Sequence, residues 1–177
     1  MLRSTCLKRW HLLPQGALIG VIASIAMSPL AFAASDNSVA GEAADGVKET
    51  VTPIISPYDS RDYRVLTLEN GLNVLLVSDP EADKAAASMN VRVGSAQDPD
   101  DLQGLAHFLE HMLFLGTEPY PESDAYQRYI SNNAGSHNAF TAQQDTNYFF
   151  DIEPSALPGA LDRFSEFFLS PLFNADH

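Results

Sequence analysis

Gly104-Leu105-Ala106-His107-Phe108-Leu109-Glu110-His111-Met112-Leu113-Phe114-Leu115-Gly116 is the stretch on which the reading of this 177-residue chain turns. Two histidines sit four apart with a glutamate between them, inside an otherwise apolar run. At about 100° per residue on a helix, His111 lies roughly 40° from His107, and Glu110 roughly 60° to the other side. All three side chains therefore leave one face within about one turn. Two neutral imidazoles so placed can hold one Zn²⁺ at about 2.0–2.1 Å, with a carboxylate beside the open coordination positions. A carboxylate there can take a proton from water whose pKa the ion lowers.

Histidine and glutamate on one helix face are most often only its solvated side. The neighbours argue otherwise here. Leu105, Phe108, Leu109, Met112, Leu113, Phe114 and Leu115 leave almost no polar stripe except the three ionisable residues. The pattern predicts a mostly buried helix, and buried ionisable groups need partners because unpaired burial is costly. The spacing is H-x-x-E-H, the reverse of the H-E-x-x-H zinc signature. Before the helix, Gly94-Ser95-Ala96-Gln97-Asp98-Pro99 reads as a turn, and Asp98, Asp100 and Asp101 sit where negative charge suits a helix N-terminus. Gly116, Pro119 and Pro121 end it.

Outward from that helix the chain alternates strand and helix signals. Residues 63–68 and 72–77 flank Glu69-Asn70-Gly71, a hairpin signal because Asn and Gly tolerate positive φ. Residues 85–93 alternate Ala87, Met89, Val91 and Val93 against Ser88, Asn90 and Arg92, which predicts a third strand. A second helix is expected over about 122–132, stopped by Asn133-Ala134-Gly135. Strands follow over 137–141 and 147–152, and a last amphipathic helix over about 155–169, with Leu157, Leu161, Phe164, Phe167 and Phe168 on its apolar side. The expected fold class is α+β, an antiparallel-rich sheet with helices packed on it.

The N-terminal third is of another kind. Residues 1–33 carry a basic start (Arg3, Lys8, Arg9), a largely apolar run, Pro29 and Ala31-Phe32-Ala33, which together predict a cleavable export signal. Pro14, Gly16, Gly20 and Ser24 interrupt the run, which falls short of a spanning helix, so no stable membrane anchor is expected. Residues 34–57 read as a flexible, polar lead-in through Thr52, with ordered structure beginning at Pro53, and residues 58–177 as the N-terminal part of one modest domain. Cleavage removes the sole cysteine, Cys6, so no disulfide framework is expected. It also removes three basic residues and no acidic one, taking the net charge from −13 to −16. That balance disfavours nucleic acid and anionic membranes as partners.

The order of pieces resembles the pitrilysin/insulinase family of zinc peptidases, whose members carry the inverted motif. The resemblance rests on Leu68-Glu69-Asn70-Gly71-Leu72, Val93-Gly94-Ser95 and residues 104–112. It rests also on Gly135-Ser136-His137-Asn138-Ala139-Phe140-Thr141 and Thr146-Asn147-Tyr148-Phe149-Phe150-Asp151. It implies zinc as cofactor, with His107 and His111 as ligands and Glu110 as general base. It further implies that Asn138 and Ala139, on an edge strand, pair with the backbone of a bound peptide, a mode that β-augmentation makes physically sensible. His137 is a further histidine, read as a surface strand residue because the family does not use that position. The family's third ligand, a glutamate on a later helix, is expected past His177, since Glu166 comes too early. The chain therefore reads as an N-terminal piece whose partners include missing C-terminal domains as well as peptide substrates.

Two other classes compete with a periplasmic zinc metalloendopeptidase acting on peptides and small unfolded polypeptides. A non-catalytic structural or partner subunit has no need of intact His107, Glu110 and His111. A zinc-storage module needs a closed four-ligand site, which this sequence does not offer.

Overall fold

The computed structural model describes residues 22–24 and 46–174. The expected export signal lies outside the described residues, apart from a three-residue strand. Among the described residues seven strands run in chain order: β1 Ile22–Ser24, β2 Val47–Val51, β3 Asp62–Leu68, β4 Asn73–Ser78, β5 Ala85–Val91, β6 Ser136–Thr141 and β7 Thr146–Ile152. Three α-helices accompany them among the described residues: α1 Leu105–Met112, α2 Ala125–Asn132 and α3 Leu157–Leu169. One sheet is ordered β1-β4-β3-β2 and the other β5-β7-β6. Every pairing is antiparallel except β1 with β4. The class is α+β, as expected. No described helix is long and apolar enough to cross a membrane.

The β3–β4 hairpin forms where the turn residues place it. Leu68 N–H donates to the Leu72 carbonyl at 2.8 Å, closing a three-residue loop in which Gly71 has φ +83°. A side chain is strained in that conformation, so glycine decides the turn. The side-chain amide of Asn70 accepts the Leu72 N–H at 3.1 Å and fixes the exit.

Strand β2 departs from the expected lead-in. Val47–Val51 pairs with β3 although it is almost wholly exposed. Its side chains bury little, so the segment shows no apolar alternation, and backbone pairing along the edge of β3 holds it instead. Strand β5 stops at Val91, two residues before the alternation ends. Beyond it the backbone bends (Val93 N–H to the Val91 carbonyl, 2.8 Å), and Val93 is exposed.

One face of the β5-β7-β6 sheet carries Ala85, Ala87, Met89, Tyr148, Phe150 and Ile152, all buried. Helix α3 covers it with Leu157, Ala160, Leu161, Phe164 and Phe167, spaced at the helical period. Helix α2 adds Tyr126 and Ile130. Rings meet edge-on through this layer, as in Phe150–Phe164 at 5.3 Å and Tyr126–Phe167 at 4.7 Å, a geometry worth about 0.5–1.5 kcal/mol per pair beyond area burial. Leu68, Leu72 and Val74 from the hairpin join the same core. Both sheets thus share one apolar interior.

Candidate active site

Helix α1 is short, and its position is set from outside. Both carboxylate oxygens of Asp98 accept backbone N–H groups, from Gly104 at 2.8 Å and Ala106 at 2.9 Å. That cap supplies partners for donors a helix start leaves unpaired, and places negative charge at the positive end of its dipole. The helix ends at Met112, followed by turns through Leu115, three residues earlier than its apolar run suggests. The chain then turns at Gly116, with φ +120°.

The helix is not mostly buried, contrary to the sequence reading. Leu105, Phe108 and Leu109 are exposed, Phe108 at 60%. Only Glu110 and Met112 within the helix are buried, while Leu113 just beyond it enters the core. Of the seven apolar residues, Leu105, Phe108, Leu109 and Met112 lie in the helix and Leu113, Phe114 and Leu115 beyond it, so they do not share one face. The pattern registers hydrophobicity without showing which side has a covering layer.

The structure brings His107, Glu110 and His111 together, with ligand-type atoms all within 4.8 Å of one another. The Nε2 atoms of the two histidines are 3.1 Å apart, and their rings meet edge to face at 79°. Two nitrogen lone pairs repel at that range unless a proton or a cation lies between them. Two zinc–nitrogen bonds at a tetrahedral angle set their donor atoms about 3.3 Å apart, so this donor pair fits one zinc ion. Both imidazoles are exposed, whereas Glu110 is 6% exposed. Its Oε2 accepts a hydrogen bond from Thr141 Oγ1 at 2.5 Å and lies 3.5 Å from His107 Nδ1. The negative charge of Glu110 adds to burial in pushing the pKa of the neighbouring Tyr148 up.

Strand β6 lies at the open edge of its sheet, with Ser136, Asn138 and Phe140 exposed. The Ala139 N–H donates to the side-chain oxygen of Asn138 at 3.0 Å. Asn138 thus covers a backbone donor on the strand expected to receive a peptide. The far end of β6 is tied down as Ser136 and Lys84 both bond to Asp151. Those two bonds hold the Asp151 carboxyl below its ordinary pKa.

Other residues do not join the site. Glu166 is buried in α3, accepts a hydrogen bond from Ser170 Oγ at 2.5 Å, and is no part of the His–Glu–His group. His137 points to the inner side of β6, half-buried against the rings of Phe114 (5.3 Å) and Tyr126 (5.1 Å). That is a packed position, not a surface one. Thr141, the residue bonded to Glu110, carries no local sign of that contact. It closes a strand whose partner across space is 31 positions away in the chain.

The insulinase family model (peptidase family M16) matches residues 73–177. The chain belongs to the insulinase family. Insulin-degrading enzyme-like 2 of Arabidopsis thaliana is 58% identical over 118 residues, covering 67% of this chain and 12% of that protein. Insulin-degrading enzyme of Homo sapiens is 55% identical over 119 residues, covering 67% and 12%. The crystal structure of pitrilysin superposes with a TM-score of 0.70 at 42% identity, covering 74% of this chain and 14% of that one. The chain thus spans about an eighth of the length of these relatives. The insulinase match takes in α1, β6 and β7, and so every residue of the site described above.

His137 gives this insulinase domain a pH-dependent stability. Burial among the two rings lowers its pKa below the ordinary 6.5. The folded state therefore binds fewer protons than the unfolded state just below pH 6.5, and stability falls as the pH drops through that range. Urea titrations between pH 7.5 and 5 should show this fall in the parent and a flatter profile in His137→Gln. Equal slopes in both proteins would contradict it.

Proposed function

We propose that this chain is the metal- and peptide-binding part of a zinc metalloendopeptidase. The observation that carries the reading is the pair of imidazole Nε2 atoms 3.1 Å apart beside a buried carboxylate, on a helix of an insulinase-family domain. His107 and His111 would hold the ion. Zinc, when bound, supplies Lewis acidity toward the scissile carbonyl and lowers the pKa of water. Glu110 takes the proton of the attacking water on its carboxylate and delivers it to the nitrogen of the departing amine. The edge of β6 at Asn138 and Ala139 aligns an extended peptide by backbone pairing, which reads shape and length more than sequence. Peptides and small unfolded polypeptides are the substrates that mode admits.

A catalytic zinc normally has three protein ligands. The one His/Cys/Asp/Glu group among the described residues that could hold a metal offers two imidazoles and a carboxylate that serves here as base. A third ligand is supplied from the remainder of the enzyme, in keeping with the small share of its relatives that this chain spans. The 177-residue chain alone should then bind zinc weakly and cleave little, as read by zinc titration and by hydrolysis of an unstructured peptide with and without chelator. Chelator-sensitive turnover by the chain alone would mean that a third ligand exists within it.

In a form extended to the length of its relatives, Glu110→Gln should retain zinc and lose hydrolysis by about 10²–10⁴-fold, the range typical of a general base. His107→Ala and His111→Ala should lose metal and activity together. Near-parental cleavage by Glu110→Gln would show that the base lies elsewhere.

The same reading places the enzyme in the periplasm, supported by the basic, apolar and Ala-x-Ala order of residues 1–33. N-terminal sequencing of exported protein should find Ala34 first. A mature chain that keeps Met1 would refute export by cleavage.

A further inference from the structure

We infer that Thr141 is a positioning residue, holding the Glu110 carboxylate in its working orientation and coupling it to the strand on which a peptide lies. The inference rests on the peptidase reading above. Thr141 Oγ1 donates to Glu110 Oε2 at 2.5 Å, a charge-assisted bond to a carboxylate that is otherwise buried. His107 Nδ1 lies 3.5 Å from the same oxygen, beyond hydrogen-bond range. A glutamate side chain has three rotatable bonds and adopts many rotamers unless something selects one. The threonine hydroxyl supplies that selection, and its β-branched χ1 is itself stiff.

The position of Thr141 is in turn over-determined by the backbone. It pairs with Thr146 across the β6–β7 ladder. The next residue, Ala142, donates its N–H to the Asp145 carbonyl at 2.8 Å, and its own carbonyl accepts the Ser95 N–H at 2.9 Å. A Cβ on Gly94 would come within 2.4 Å of that carbonyl, so the loop before α1 lies directly against the end of β6. The same loop carries Asp98, which caps α1. Helix start and strand end therefore share one crossing, and the Thr141–Glu110 bond ties that strand end to the second turn of the helix. Asn138 and Ala139 lie three and two residues before Thr141 on the same strand. Pairing of a peptide along β6 and aiming of the base are then set by one element.

The test compares Thr141→Val, which keeps the shape and deletes the hydroxyl, with Thr141→Ser, which keeps the hydroxyl. Crystal structures of the parent and both variants should show the Glu110 carboxylate displaced or split between rotamers in the valine variant and unmoved in the serine variant. In the extended, active form, Thr141→Val should lower kcat roughly 10- to 100-fold, the rate equivalent of a lost hydrogen bond to a charged group. KM and zinc content should hardly change, and Thr141→Ser should recover most of kcat. A merely structural role would lower zinc content and folding together and would not be rescued by serine. If valine disturbs the fold, Thr141→Ala carries the same comparison. An unmoved Glu110 or an unchanged kcat in the hydroxyl-free variant overturns the inference. A parent enzyme without zinc-dependent cleavage would instead overturn the peptidase reading, while the crystallographic comparison would still decide whether Thr141 holds Glu110.

Discussion

The close approach of Gly94 to the Ala142 carbonyl governs where the chemistry of this domain can sit. A backbone crossing that tight admits no side chain on the residue that makes it. On one side of the crossing the chain leaves β5, turns through Ser95–Gln97 and reaches Asp98, which caps α1. On the other side lies the turn between β6 and β7, and the hydroxyl of Thr146, the first residue of β7, donates to the Val93 carbonyl at 2.8 Å. The far end of α1 is held in a similar way. Glu118 N–H donates to the Ser170 carbonyl and Leu172 N–H to the Gly116 carbonyl, both at 3.0 Å, so the loop after α1 is paired with the segment after α3. Tyr120 adds a 2.5 Å hydrogen bond to Asp162, and Arg163 lies over the rings of Tyr120 and Tyr129. An eight-residue helix is marginal by itself, and this one owes its place to its two ends and to Met112 and Leu113 more than to its exposed apolar side.

Much of this was legible in the sequence wherever the signal is local. Asn70-Gly71 between two β-rich runs fixes a turn within a few residues, and Ala87-Ser88-Met89-Asn90 alternates because one face of β5 meets a core. The His-x-x-Glu-His spacing needs only helix geometry to put three side chains together, and they are together. What was not legible depends on groups far apart in the chain. Strand β2 has no apolar face to advertise it, since its partner is backbone. The run of residues 105–115 announces hydrophobicity, yet exposure of Phe108 and burial of Leu113 follow from where the sheet lies. The Thr141 contact and the inward turn of His137 are likewise tertiary facts. A strand pattern reports that a residue faces one side, and not which ring or carboxylate waits there.

The division of burial within the His–Glu–His group has an electrostatic consequence. A carboxylate taken out of water is costly unless it is paired and hydrogen-bonded. Thr141 offers Glu110 a dipole, and His107 offers a full charge only when protonated. The two imidazole nitrogens, by contrast, face solvent. Glu110 beside them is buried and takes a hydrogen bond from Thr141. The group therefore joins exposed imidazoles to a buried carboxylate on one helix face. A short helix carries both because its two ends are tied to strand and loop while its outer flank stays open.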